Sequence, residues 1–231
     1  MNDSKAHWLN IRQHLDEYEI KLGRATAQAY VNDPRMIAFI AARYKFVSKM
    51  LVDTPLVLEI GCGDAFGAPI VAQTVRKLIC TDIDDETLML NRANHCVHCE
   101  PLGPFKERKN IEFHYYDFRI MPWQLPVDAI YLIDVIEHIF PEEEEKFMEN
   151  IYASLTPTGI LIMGTPNKNA EQYASKHSID GHVNLKTQKN LQSLLLPYFS
   201  NTFCFSMNDE VVHTGFAPMA NYNWIMGVGL K

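Results

Sequence analysis

The chain has 231 residues, 47% of them hydrophobic and 21% charged, with a formal net charge of −7. That size supports a sizeable core in one domain, with room for an appended helical lid. An acidic chain without a basic stripe argues against nucleic acid as a partner, because Lys and Arg on phosphates supply most of that affinity. No stretch approaches the ~20 apolar residues of a membrane helix. The start, Met1-Asn2-Asp3-Ser4-Lys5, has no apolar signal core. Five cysteines at unremarkable spacing read as free thiols in a reducing compartment, which predicts a cytoplasmic protein.

Trp8, Ile11, Leu15, Tyr18 and Leu22 recur every three or four residues and predict an amphipathic helix over residues 3–22. Asn32-Asp33-Pro34 is a start signal for a second helix over 34–50, since Pro fits a first helical turn. The pattern then changes. Leu56-Val57-Leu58-Glu59-Ile60 is a short apolar run that meets Gly61, which predicts a buried strand feeding a tight turn. Further strands are predicted at 77–82, 111–116, 127–133, 159–164, 203–207 and 222–228. Helices are predicted at 67–76, 86–94, 142–155 and 187–196. Strands alternating with helices imply crossovers and a mainly parallel sheet covered on both faces. The expected fold is a Rossmann-like, doubly wound, seven-stranded α/β sheet with an antiparallel last strand, because no helix separates the last two strands. Residues 95–110 and 167–186 read as insertions, and long connections inside a domain are often functional.

Glu59-Ile60-Gly61-Cys62-Gly63-Asp64 joins the first strand to a helix. Glycines there let the chain turn sharply and approach a ligand. Asp82, at the end of the second strand, can accept both hydroxyl protons of a ribose. The next glycine after Gly63 is Gly67, so the spacing departs from the pyrophosphate fingerprint, whose third glycine would fall at Phe66. Glu59 is ill placed for a diphosphate and suits a cationic ligand.

Taken together, Leu58 to Asp64 resembles motif I of class I S-adenosylmethionine-dependent methyltransferases. Asp82 resembles their ribose-binding acid, with Ile83 beside it. Tyr116-Asp117-Phe118 resembles the segment that flanks the adenine. Leu132-Ile133-Asp134-Val135-Ile136-Glu137-His138-Ile139 resembles the fourth-strand motif of ubiquinone-type O-methyltransferases, and Leu155 to Ile162 resembles their entry to the fifth strand. The resemblance spans about residues 45–166. It implies S-adenosylmethionine as cofactor, bound by Glu59, Gly61, Cys62, Gly63, Asp82, Ile83, Asp117, Phe118, Asp134 and Val135. It also implies residues 1–52 as an N-terminal helical lid and 53–231 as the catalytic domain. More loosely, the C-terminal third is similar to methyltransferases of bacterial surface-polysaccharide pathways.

Each group has a plainer reading. Asp82 could be a helix cap, Asp117 a turn residue, Cys62 a packing residue with its backbone N–H near the ligand. Glu137-His138 could be a structural pair at a strand end. Pro141 and the four glutamates after it read as a helix start, where carboxylates favour the positive end. His95-Cys96-Val97-His98-Cys99 hints at zinc, but its two pairs are adjacent and not separated, so no metal is expected. Polar segments at 177–184 and 207–215 lie in connections predicted to flank the ligand, and suit a small polar acceptor such as a sugar or nucleotide-linked sugar. A hydroxyl acceptor benefits from a base. His182 is the first candidate, then His213, His177 and His138. No nucleic-acid or membrane partner is expected, and a homodimer is the expected assembly. The competing readings are an N-methyltransferase, a nucleotide-binding oxidoreductase and a non-catalytic cofactor-binding module.

Overall fold

A computed structural model describes residues 3–13, 22–94, 110–215 and 217–231. Among the described residues, eight strands, β1 to β8 in chain order, form one sheet in the order β3-β2-β1-β4-β5-β8-β6-β7. The parallel strands are β1 (Leu56–Ile60), β2 (Lys77–Asp82), β3 (Ile111–Tyr115), β4 (Val127–Ile133) and β5 (Leu155–Pro166). The antiparallel ones are β6 (Phe199–Asn208), β7 (Val211–His213) and β8 (Tyr222–Leu230). β8 runs antiparallel between β5 and β6, so the late strands pair as expected but β8 lies inside the sheet.

Both faces of the sheet are buried, which is why its strands read as continuous apolar runs. Val57, Cys80, Ala129, Tyr131 and Trp224 point to one side. There they meet α3 (Met36–Met50), α4 (Ala68–Ala72) and α5 (Asp85–Asn94) through Tyr44, Val47, Val71 and Leu88. Leu58, Ile79, Ile130, Leu132 and Ile225 point to the other. There they meet α6 (Pro141–Ala153) and, further along the chain, a helix at Gln188–Leu195 through Phe147, Met148, Ile151, Leu191 and Leu195. Burying side chains of this size contributes roughly 1.5–3 kcal/mol each before the entropy of ordering them is subtracted. α6 begins as expected, with Pro141 in its first turn and Glu142, Glu143 and Glu144 beside the positive end.

The N-terminal region differs from its sequence pattern. α1 covers Ser4–Arg12 and buries none of its residues; residues 14–21 of the expected long helix lie outside the described ones. An unexpected helix, α2, covers Arg24–Asn32. Asn32-Asp33 thus ends one helix before α3 starts. In the connection after β5, a 3₁₀ segment at Lys168–Tyr173 leads to α7 (Lys176–Gly181), and α8 is the helix at Gln188–Leu195. The expected polar loop after β6 is instead a hairpin. Asp209 takes a φ of +49° in the two-residue turn between Asn208 and Val211, a conformation Asp tolerates better than most residues. That adds the eighth strand to the seven expected.

Candidate functional site

Ligands of parallel α/β sheets sit beyond the carboxyl ends of the strands, where strand order reverses. Here that point lies between β1 and β4. A cavity of about 250 Å³ opens there, lined by Gly61, Gly63, Asp82, Ile83, Arg119, Asp134, Val135, His138 and Ile139.

The glycine turn is held in place from β2. Gly61 and Cys62 both donate backbone N–H to the Thr81 carbonyl, at 2.8 and 3.0 Å. Gly63 donates to Asp82 Oδ2 at 2.8 Å, and Asn91 Nδ2 donates to the Gly63 carbonyl at 2.6 Å. Gly61 and Gly63 have φ of +72° and +51°, where a side chain is strained. A Cβ on Gly61 would lie 2.5 Å from Val135 Cγ2, whereas one on Gly63 would meet open space. Asp82 Oδ1 accepts from the Asp84 N–H at 2.9 Å. A carboxylate accepts about four hydrogen bonds, so Asp82 retains acceptor capacity beside the cavity. The open face of Gly63 and this spare capacity fit an adenosyl ligand of the kind the motifs imply.

Four expected cofactor contacts, Glu59, Cys62, Asp117 and Phe118, are not among the residues that line the cavity. Glu59 is 1% exposed and lies outside the cavity lining. Tyr44 Oη donates to its Oε1 at 2.8 Å and Cys80 Sγ to its Oε2 at 3.3 Å. Burial pushes its carboxyl up to about 7, against the lowering effect of the Tyr44 hydrogen bond. Cys62 is buried and its backbone N–H is taken up by Thr81. On the β3 side, Asp117 binds Arg119 through both oxygens, with Nε at 3.0 Å and Nη2 at 2.7 Å. The Arg119 hydrogen bond holds the Asp117 carboxyl below its ordinary range. Arg119 lines the cavity, while Phe118 is in the core against Tyr116.

The N-terminal helices touch this turn. Asp64 accepts from Thr26 N at 2.8 Å and from Thr26 Oγ1 at 2.7 Å, so a carboxylate beside the glycine turn satisfies the first turn of α2. From α3, Arg43 forms an ion pair with Asp134 and lies 4.0 Å over the Tyr222 ring. Asp134 has a φ of +56°, and its Oδ1 is buried without a hydrogen-bond partner.

Glu137 and His182 cluster with His138, which lines the cavity. A 3₁₀ turn at Ile136–His138 follows β4. Val183 N and Asn184 N both donate to the Glu137 carbonyl, at 2.9 and 3.0 Å. Asn184 Nδ2 reaches the Ile139 carbonyl at 3.0 Å and Glu144 Oε2 at 2.7 Å, and Lys186 pairs with Glu144. These bonds draw the connection after β5 toward the turn at Ile136–His138, so His182 meets His138 edge-on with ring centroids 5.1 Å apart. His138 Nδ1 lies 2.9 Å from the Gly181 carbonyl. Glu137 is fully buried; Thr165 Oγ1 donates to its Oε2 at 2.9 Å, and its Oε1 has no partner. Burial, reinforced by the nearby Asp134 charge, pushes its carboxyl well above the carboxylate range.

His213 is not part of this group. It lies on β7, where Gly215 N donates to its Nδ1 at 3.2 Å, with three strands between it and β4. That is roughly 19 Å at the usual strand spacing. His177 lies on α7; its side chain is outside the described part, as are residues 95–100 with their His and Cys pairs. Among the described residues Cys62, Cys80 and Cys204 are free thiols, and no helix is long and apolar enough to cross a membrane. Sequence reasoning missed Arg43, Arg119 and Lys186, read Glu144 only as part of a helix start, and placed Asn184 in a polar segment without its bonds to Ile139 and Glu144.

The family described as "Methyltransferase domain" matches residues 58–163, from β1 through most of β5. A probable S-adenosylmethionine-dependent methyltransferase of Mycolicibacterium smegmatis is 28% identical over 115 residues, which is 48% of this chain and 38% of that one. The chain thus spans well under half the length of that relative. In fold, the chain resembles the methyltransferase domain of a bacterial Hen1, with a TM-score of 0.65 at 16% identity, covering 82% of this chain and 99% of that one. It also resembles the N-methyltransferase NodS of Bradyrhizobium japonicum in complex with S-adenosylhomocysteine. There the TM-score is 0.58 at 14% identity, covering 83% and 85% of the two chains.

Proposed function

We propose that this chain, with its methyltransferase-domain match over residues 58–163, is an S-adenosylmethionine-dependent methyltransferase. The reading extends to O-methylation of a polar small molecule such as a sugar or nucleotide-linked sugar. The observation that carries it is the convergence of Gly61, Gly63, Asp82, Asp134, Val135 and His138, from the ends of three parallel strands, on one cavity.

When bound, the cofactor supplies a methyl group on a positively charged sulfur, whose departure as a neutral thioether needs no acid. The rest is positioning. Asp82 takes the ribose hydroxyls, and Ile83 and Arg119 take the adenine side of the cavity. Asp134 and Val135 border the methyl-bearing end. The acceptor enters from the side of His138 and His182, which hold its hydroxyl toward the methyl group. Alignment of the two reacting atoms accounts for most of the rate in a displacement of this kind. The lid role falls to residues before Asp33, since α3 is part of the core through Tyr44, Val47 and Leu51.

The test is incubation with methyl-labelled S-adenosylmethionine and a panel of nucleotide-linked sugars, free sugars and amines. Label on a sugar hydroxyl, lost in His182→Ala with S-adenosylhomocysteine binding kept, supports the reading. Label on amines, indifferent to His182, overturns the O-methylation part.

A further inference from the structure

We propose that Glu137, His138 and His182 bind one divalent cation of the Mn²⁺, Co²⁺ and Zn²⁺ series, and that this ion holds the acceptor hydroxyl. This deepens the reading above and rests on it for the identity of the acceptor, though not for the site itself.

The three residues each present one ligand atom, and those atoms all lie within 4.8 Å of one another. Two sequence segments 44 residues apart are brought together for this, held by the two backbone bonds onto the Glu137 carbonyl. Glu137 Oε1 is a buried carboxylate oxygen with no hydrogen bond, an arrangement that costs roughly 1–3 kcal/mol or more unless something binds there. Arg43 is already paired with Asp134, and Glu137 forms no ion pair among the described residues.

The histidines are arranged to suit. A carbonyl only accepts, so His138 Nδ1 donates to Gly181 at 2.9 Å, which leaves Nε2 as the unprotonated nitrogen. Fixing the tautomer through the far nitrogen is the usual way a ligating imidazole is oriented. Two nitrogens and one oxygen favour the Mn²⁺-to-Zn²⁺ series over Mg²⁺ or Ca²⁺, which take mostly oxygens. With bonds of ~2.0–2.2 Å the donors must sit ~3.0–3.5 Å apart, so the side chains close by about an ångström on uptake.

Three protein ligands leave positions open. A hydroxyl in one of them would give up its proton to solvent more readily than a free hydroxyl, because the cation would stabilise the alkoxide. The oxygen's electron pair then forms the new O–C bond, and the pair of the breaking S–C bond stays on sulfur. His182 serves here as a ligand, and the acceptor proton needs no imidazole.

The experiment is calorimetric titration of untagged, chelator-treated protein with Mn²⁺ and separately with Co²⁺, on wild type, His138→Ala, His182→Ala and a Cys96→Ser/Cys99→Ser double variant. One ion per chain is expected in wild type. Each His substitution should weaken binding at least ~10-fold, and the double Cys variant should leave Mn²⁺ binding unchanged. No binding of either ion, or binding that both His variants retain, overturns the proposal. Titrating S-adenosylhomocysteine into the same samples separates the two readings. If that ligand binds while no metal does, the methyltransferase reading stands and the metal site alone falls.

Discussion

Arg43 on α3 and Asp134 just beyond β4 form an ion pair across 91 residues of sequence, and Asp134 makes it from a left-handed backbone, φ +56°. The pair ties the helix before the domain's first strand to the wall of the cavity. Its side chains are 15% and 35% exposed, so it lies between a surface pair and a buried one. Arg43→Ala should cost about 2 kcal/mol, below the value for a fully buried pair. In a chain of this size the melting temperature should drop by roughly 4–8 °C. Thermal denaturation followed by circular dichroism checks this, and an unchanged midpoint would contradict it.

The two glycines of the turn should fail differently. Gly61→Ala forces a Cβ to 2.5 Å from Val135 at a positive φ, which combines a clash with backbone strain and should cost several kcal/mol. Gly63→Ala has open space and bears only the strain of its φ, about 1 kcal/mol. The second variant should fold and yet bind S-adenosylhomocysteine at least ~10-fold more weakly, because its methyl group points into the cradle. Urea unfolding and calorimetry on both variants separate the two effects.

Asp64 caps α2 through Thr26, so Asp64→Ala should loosen α2 without disturbing the sheet. Loss of a cap costs about 1 kcal/mol. Limited proteolysis should become several-fold faster between residues 13 and 33, while the strand core remains protected. Equal rates in wild type and variant would detach α2 from the turn.

Stability should depend on pH through Glu59. Its folded carboxyl lies near 7, above its ordinary value of 4.5, so the folded state holds the proton more tightly than the unfolded one. That contribution is fully present below about pH 4.5 and is lost as pH rises through 7. Glu59→Gln, which keeps an acceptor for Tyr44, should flatten the decline in urea midpoint between pH 5 and 7. A slope unchanged in the variant would assign the effect to other groups.

The sheet was legible because its central strands are buried on both faces and end at Gly61, Asp82 and Asp134, where the apolar runs stop. β1, β2 and β4 fall where their patterns place them. α2 was not legible. Of its residues only Thr26 is buried, so it has no apolar stripe, and its start is capped from Asp64. β7 is three residues long, too short for alternation to register. Gly61, Gly63 and Asp82 were readable from the strand and turn pattern, Asp134 from the family resemblance, and His182 as a candidate from its polar segment. That His182 joins His138 and Glu137 depends on Asn184, Lys186 and Glu144, whose bonds exist only in the folded chain. Arg43 and Arg119 were invisible for the same reason, since neither belongs to a local pattern.

The most direct measurement is calorimetric titration of S-adenosylhomocysteine into wild-type protein and Asp82→Ala, with NAD as a parallel ligand. The account predicts one site per chain in wild type, no NAD binding, and affinity reduced ~10–100-fold in the variant, the scale of lost hydrogen bonds to a charged group. A folded wild-type protein that ignores S-adenosylhomocysteine, or binds NAD in its place, would contradict it.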